Sequence, residues 1–184
     1  RFIEINNKLL KIQKKNINVL ELPNIKWAKS INFRSNIPSI IYSNEFFDCF
    51  PVRHFIKKNK WFEKFVSFNK KENVFFFKNK LVKNQKILSI LKSYNQNNLA
   101  EISFKRNEYF NRICKFIKKN RGLIVTVDYG YSKNIKYFTL QAIQNHKFSN
   151  VLDNIGNKDI SSHVNFKDLI SIAKYNNLKI EEFC

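Results

Sequence analysis

Between Ser43 and Pro51 the chain reads Ser-Asn-Glu-Phe-Phe-Asp-Cys-Phe-Pro, and three polar groups there can do chemistry: Asn44, Glu45 and Asp48. Glu45 and Asp48 are three apart, so a helical segment would put both carboxylates on one face. Such a pair can grip a guanidinium through charge-assisted, bidentate hydrogen bonds. The same spacing suits a helix start whose acids favour the dipole, and the residues alone leave both readings open. Glu4 ends another apolar run, ahead of a helical stretch. An acid there can accept hydrogen bonds from both hydroxyls of a ribose, or be a solvated loop acid. If Glu4 holds a ribose, Trp27, Ala28, Lys29 and Ser30 fall near the base, although Trp27 suits a core equally well. Asp128-Tyr129-Gly130-Tyr131 sets an acid, a glycine and two aromatics at a third strand end, with a tight turn as the alternative. His146 and His163 stand alone; His163 precedes a helix expected to be capped by Asn165, and a local hydrogen bond is its simplest role.

These residues need strands that stop at them. Phe2–Ile5 and Ile25–Trp27 are short strand candidates, with Pro23 breaking the chain between, and Pro38–Ser43 is a β-branched run opened by proline. Asn6 to Asn16, with Leu9, Leu10 and Ile12, predicts a helix capped by Asn6. Ile87, Ile90, Leu91 and Tyr94 predict one over 85–94. From Asn107 to Asn120 the residues Phe110, Ile113, Phe116 and Ile117 share a helical face; Lys118 and Lys119 suit its C-terminal dipole, and Gly122 can supply the left-handed stop. Leu123–Val127 is almost purely apolar, as expected for a strand buried on both faces of a sheet. Asn165–Tyr175 reads as a last helix and Leu178–Ile180 as the start of a strand. Short aromatic runs separated by Lys, Asn and Glu over 52–77 predict two or three antiparallel strands, an insertion. The order is α/β with a parallel sheet, whose ligands sit beyond the carboxyl ends of the strands.

Composition bounds the function. The chain has 184 residues, 43% of them hydrophobic, which is enough for one domain with a core and argues against disorder. No apolar run approaches the roughly 20 residues of a membrane span. The net charge of +20 invites a nucleic-acid partner, but the lysines are scattered pairs beside an excess of Asn, Ile and Phe, so compositional drift explains them and nucleic acid is not expected. Cys49, Cys114 and Cys184 have neither zinc nor disulfide-framework spacing and fit a reducing compartment. No metal site is expected. Glycines at 122, 130 and 156 cannot form a Gly-x-Gly phosphate loop. Opening at Arg1 inside an apolar run, with no Met anywhere, the sequence is expected to be part of a longer protein.

Taken together, these stretches resemble the MidA/NDUFAF-seven-type family of S-adenosylmethionine-dependent methyltransferases. Ser43 to Arg53 is similar to its ANEFFDALPVRQF signature, Arg121 to Tyr131 to GGALIIDYGY, Thr139–Ala142 to TLQA, Asp159–Phe166 to DLTAHVDF, and Phe2–Gln13 to LVEISPxLRxxQ. Ala100–Ser103 matches its short acidic motif. The resemblance covers nearly the whole chain. It implies a Rossmann-like class I methyltransferase sheet, incomplete at both ends, with an antiparallel insertion near 52–77, and a glycine-rich cofactor loop lying before Arg1. The implied cofactor is S-adenosyl-L-methionine and the implied substrate a protein arginine, by analogy with members tied to assembly of respiratory complex I. Glu45 and Asp48 are then the catalytic candidates; Glu4, Ser30 and Asn44 face the cofactor; Asp128, Tyr129 and His163 face the substrate. Bacterial cytoplasm or mitochondrial matrix fits, and this piece alone is expected to be inactive. The rival reading is a non-catalytic basic binding protein, an assembly factor or an RNA-holding domain.

Overall fold

Phe2 and Ile3 form a strand, β1 (Phe2–Ile3), because the chain there is apolar and has a partner. Helix α1 (Asn7–Asn18) follows, and β2 (Trp27–Ala28) returns parallel to β1 with Phe2 opposite Trp27, their rings stacked at 5.8 Å. The computed structural model describes residues 1–18, 20–21, 24–32, 36–94 and 98–181, so Pro23 and Cys184 lie outside the described residues. Asn6 caps α1 as expected, its Oδ1 accepting from the Lys8 amide at 2.9 Å.

Strand β3 (Ser39–Asn44) leads into the insertion: β4 (Arg53–Lys57), β5 (Trp61–Asn69), β6 (Val74–Leu81), helix α2 (Gln85–Leu91) continued by a 3-10 turn to Tyr94, and β7 (Leu99–Ile102). These four strands form one antiparallel sheet in the order β6-β5-β4-β7. The insertion therefore runs on to Ile102, well past the aromatic runs that announce it. It has its own core of Phe55, Trp61, Leu91, Ala100 and Ile102. The Ser103 hydroxyl donates to the Pro51 carbonyl at 2.8 Å, tying the exit of the insertion to its entry.

Ser103 also caps α3 (Phe104–Asn120), accepting from the Arg106 amide, which starts the helix three residues before the apolar periodicity does. Strand β8 (Gly122–Val127) then pairs in parallel with β3, from Ser39 opposite Gly122 to Asn44 opposite Val127. Phe110, Ile113, Cys114 and Ile117 bury one face of α3; the first three join Ile31, Phe47, Val164, Leu169 and Ala173 in the main core, against which Ile41 and Ile124 pack. The strand is not buried on both faces as its composition suggests: Leu123 and Val127, with Ile40 and Tyr42 of β3, stand exposed, because α3 covers only the other side of the pair. The helix stop also differs. Arg121, with φ 61°, takes the left-handed position, and Gly122 at φ 138° opens the strand.

Beyond β8 come β9 (Gly130–Tyr131), a small antiparallel sheet of β10 (Gln141–Gln144), β11 (Lys147–Ser149) and β12 (Asp159–Ser161), then β13 (Val164–Asn165), parallel to β9, and α4 (Phe166–Tyr175). Asn165 makes no side-chain cap to α4; it is a buried strand residue instead. Leu178–Ile180 is not a strand, although Leu178 and Ile180 do pack on the core.

The β3–β8 register is a steric fact as much as a hydrogen-bonded one. A Cβ at Gly122 would lie 1.8 Å from the Ser39 carbonyl oxygen, whereas at Gly156, φ 93°, nothing lies within 4 Å. Gly122→Ala is expected to cost about 3 kcal/mol or more in urea unfolding, and Gly156→Ala only about 1 kcal/mol from its backbone conformation. Equal losses would contradict the close approach.

Candidate active site at the strand ends

The turn after β3 is held from across the sheet. Glu45 donates its amide to the Val127 carbonyl at 2.9 Å, and the Phe46 and Phe47 amides both donate to Asp128 Oδ2, at 3.1 and 2.8 Å. The segment is consequently a turn, not the helix that the Glu45/Asp48 spacing allows: Glu45 sits at φ 45° and no helix starts there. Phe47 goes fully into the core, while Glu45 and Asn44 stay exposed and Asp48 half-buried. Asp48 is anchored through its carbonyl, which accepts from the Ser162 amide at 3.0 Å.

The structure thus brings Glu45, Asp48 and Asp128 together by tertiary hydrogen bonds, and it adds Asp159 from β12. Burial, and then the charges of Asp128, Glu45 and Asp159, push the Asp48 carboxyl above its ordinary range. Asp128 Oδ1 is buried without a hydrogen-bond partner. In a chain of net charge +20, Glu45, Asp48, Asp128 and Asp159 have no basic side chain in salt-bridge range among the described residues. That is an anionic cluster suited to a cationic side chain.

Glu4 stands at a second strand end and is already oriented. Its Oε1 accepts from the Asn6 amide at 2.7 Å and its Oε2 from Gln13 Nε2 at 3.2 Å; Gln13 in turn accepts from the Trp27 indole at 3.1 Å. Each carboxylate oxygen keeps room for one more donor, which is what a vicinal diol supplies. The Glu4 amide donates to the Ala28 carbonyl, so Lys29 and Ser30 lie at the neighbouring strand end, with Ser30 Oγ accepting from Asn32. A cleft of about 1110 Å³ opens between β1 and β3, walled by Phe2, Ile3, Ile41, Asn44, Phe46 and Tyr109 among others.

Tyr129 and His163 are joined through backbone. The Tyr129 carbonyl accepts from Val164 at 2.7 Å; the His163 amide donates to Thr139 Oγ1 at 2.9 Å and its carbonyl accepts from Arg106 Nη1 at 3.1 Å. Tyr129 is exposed and His163 half-buried.

Sequence reasoning missed the layer beneath. Glu101, fully buried, accepts from the Thr139 amide at 2.9 Å and hydroxyl at 2.5 Å and lies 3.0 Å from His54 Nε2. Burial works against its charge, but the adjacent His54 ring and the hydrogen bonds from Thr139 outweigh it and hold the carboxyl below the usual range. Arg106 is buried as well. Burial lowers its proton affinity, and Tyr131, Glu101, Asp168 and Asp128 work the other way. The signals for this layer were the family-like stretches Ala100–Ser103 and Thr139–Ala142 and an acid inside the apolar run Leu99–Ile102, which asks for a partner without naming it.

Because its surroundings raise the Asp48 carboxyl, the folded state binds that proton more tightly than the unfolded chain, and ionisation costs stability as pH rises. Asp48→Asn is expected to raise Tm at pH 7 by about 1–3 °C. The gain should close near pH 3, where both states carry the proton; a variant no more stable at pH 7 would contradict the crowding.

Comparisons with known proteins bear on the family and the fold. The family model described as S-adenosyl-L-methionine-dependent methyltransferase matches residues 1–184. The protein arginine methyltransferase NDUFAF7 homolog, mitochondrial, of Caenorhabditis elegans is 29% identical over 155 residues, 82% of this chain and 36% of that protein. A COG1565 superfamily member from Burkholderia thailandensis, in a crystal structure bound to S-adenosyl-homocysteine, superposes with TM-score 0.78 at 17% identity, covering 95% of this chain and 47% of the other. A native crystal structure of a COG1565 superfamily protein from the same organism gives 0.77 at 17%, covering 95% and 49%. The chain spans about a third of the length of the nematode relative and about half of each bacterial chain.

Proposed function

Since the chain belongs to the S-adenosyl-L-methionine-dependent methyltransferase family, we propose that the protein methylates a protein arginine and that Glu45 and Asp48 receive the guanidinium. The observation that carries this reading is the unneutralised acidic cluster at the end of the β3–β8 pair. The arginine substrate named for the nematode relative supports it.

The residues at the β1 end fit the cofactor. Glu4, with one acceptor site spare on each oxygen, would take the two ribose hydroxyls, with Ser30 beside the base and Asn44 toward the reacting end. When bound, the cofactor supplies an electrophilic methyl group on a sulfonium. This chain's own part is positioning and proton handling. A delocalised guanidinium is a poor nucleophile; a carboxylate on either side fixes its plane and concentrates its lone-pair density on one nitrogen. Glu45, exposed on its left-handed turn, is the outer clamp. Asp48, whose proton affinity is raised by burial and its acidic neighbours, is suited to accept the proton the nitrogen gives up. Asp128 holds the turn that carries both and, with Tyr129 and His163, borders the substrate side.

The resemblance to members tied to complex I assembly makes a complex I subunit the candidate substrate, and bacterial cytoplasm or mitochondrial matrix the setting. No helix among the described residues is long and apolar enough to cross a membrane.

The test is methyl transfer to an arginine-bearing protein together with cofactor calorimetry, both on the full-length protein. Glu45→Gln is expected to lower kcat by about 100-fold with cofactor Kd unchanged. Glu4→Gln should weaken cofactor binding by about tenfold, the loss of a charge-assisted hydrogen-bond acceptor. Unimpaired methyl transfer by Glu45→Gln removes the clamp, and a full-length protein that binds no cofactor leaves the basic binding-protein reading.

A further inference from the structure

The hairpin of β5 and β6 outruns the sheet that anchors it. β4 pairs with β5 only through residues 61–64, whereas β5 and β6 stay paired out to Asn69 and Val74. Residues 65–69 and 74–78 therefore form a two-stranded arm beyond the last β4 partner. Cross-strand register sorts its side chains. Val66, Phe68, Phe75 and Phe77 share one face; Phe65, Val74 and Phe76 share the other. All seven are between 37 and 54% exposed. A two-stranded hairpin is marginal in water even with one face covered, so two open apolar faces point to a missing environment.

Charge narrows what that environment is. The arm and its base carry Lys64, Lys70, Lys71, Lys78 and Lys80, with Lys64 over the Phe77 ring at 4.9 Å and Lys80 over Phe65 at 5.0 Å. Its two acids are already engaged: Glu63 with Arg53, and Glu72 with Asn69 at the tip. A protein docked on one face would leave the other wet. A second copy would set one lysine-ringed arm against another. A bilayer meets both faces at once, and anionic headgroups match the lysines.

We propose that the arm, residues 65–78, enters the headgroup–acyl boundary of an anionic phospholipid bilayer and holds the protein at that surface. This is independent of the arginine reading, since the arm contains none of the residues assigned to catalysis or cofactor.

The experiment is co-sedimentation of the full-length protein with vesicles of phosphatidylcholine and phosphatidylglycerol in equal parts, and with phosphatidylcholine alone. Binding is expected with the first and much less with the second. Phe75→Asp and Phe76→Asp, one on each face, should each weaken it by about tenfold. Lys70→Glu with Lys71→Glu, in the exposed turn and remote from any core, should weaken it while leaving circular dichroism unchanged. Three results would overturn the proposal: no sedimentation with anionic vesicles, phenylalanine variants that bind as well as the parent, or a parent that is dimeric in the ultracentrifuge and loses that dimer, not vesicle binding, in the Phe variants. Retention on single-stranded RNA in place of vesicles would do the same.

Discussion

One carboxylate oxygen holds the candidate site in shape. Asp128 Oδ2 takes two successive amides, those of Phe46 and Phe47, from a turn more than eighty residues away in sequence. That pair of bonds fixes the backbone after β3, and with it the burial of Phe47 in the core and the gathering of Glu45 and Asp48 beside Asp128. Gathering like charges is unfavourable in itself. It is sustained because the Phe46, Phe47 and Phe50 rings, with Tyr109 and Phe110 of α3, lock the other side of the turn in edge-on, tilted and stacked contacts at 5.0 to 6.0 Å. Apolar burial thus balances electrostatic strain within half a dozen residues.

The buried layer extends that logic to the insertion. Glu101 belongs to β7 of the insertion sheet, Thr139 to the segment before β10, and Thr139 in turn receives the His163 amide. Arg106, in the first turn of α3, closes the circuit at the His163 carbonyl. The insertion is therefore wired to the far wall of the site by buried and half-buried hydrogen bonds, and a partner lost at Glu101 would leave a desolvated group behind.

Much of this frame can be read from the residues. The helical face Phe110, Ile113, Phe116 and Ile117, and the apolar runs ending at Asn44 and Asp128, announce α3, β3 and β8 because local periodicity and burial agree there. The acids at strand ends, and the match of Ser43–Arg53 to a family signature, point to the site. What stayed hidden depends on distant partners or unusual backbone. Glu45 and Asp48 look helical until the Asp128 bond is known. The β10–β11 hairpin has no glycine to betray it: Asn145 and His146, at φ 51° and 60°, make the turn themselves. With only three glycines, the chain gives left-handed backbone to other residues, and five of the nine such positions among the described residues are asparagine. An asparagine-rich composition masks turns that glycine would have marked.

The bond from Ser103 to the Pro51 carbonyl has a bearing on how such a protein can change over evolutionary time. Fifty-odd residues leave the parallel framework and return to it at nearly the same point, with a private core between. Length and surface character in that excursion can drift, shorten or be exchanged between lineages while the strand ends that surround the acids remain in place. Outside Glu101, which stays bonded to Thr139, the excursion is then free to answer one selective pressure and the framework another, the first for the company the protein keeps and the second for the chemistry.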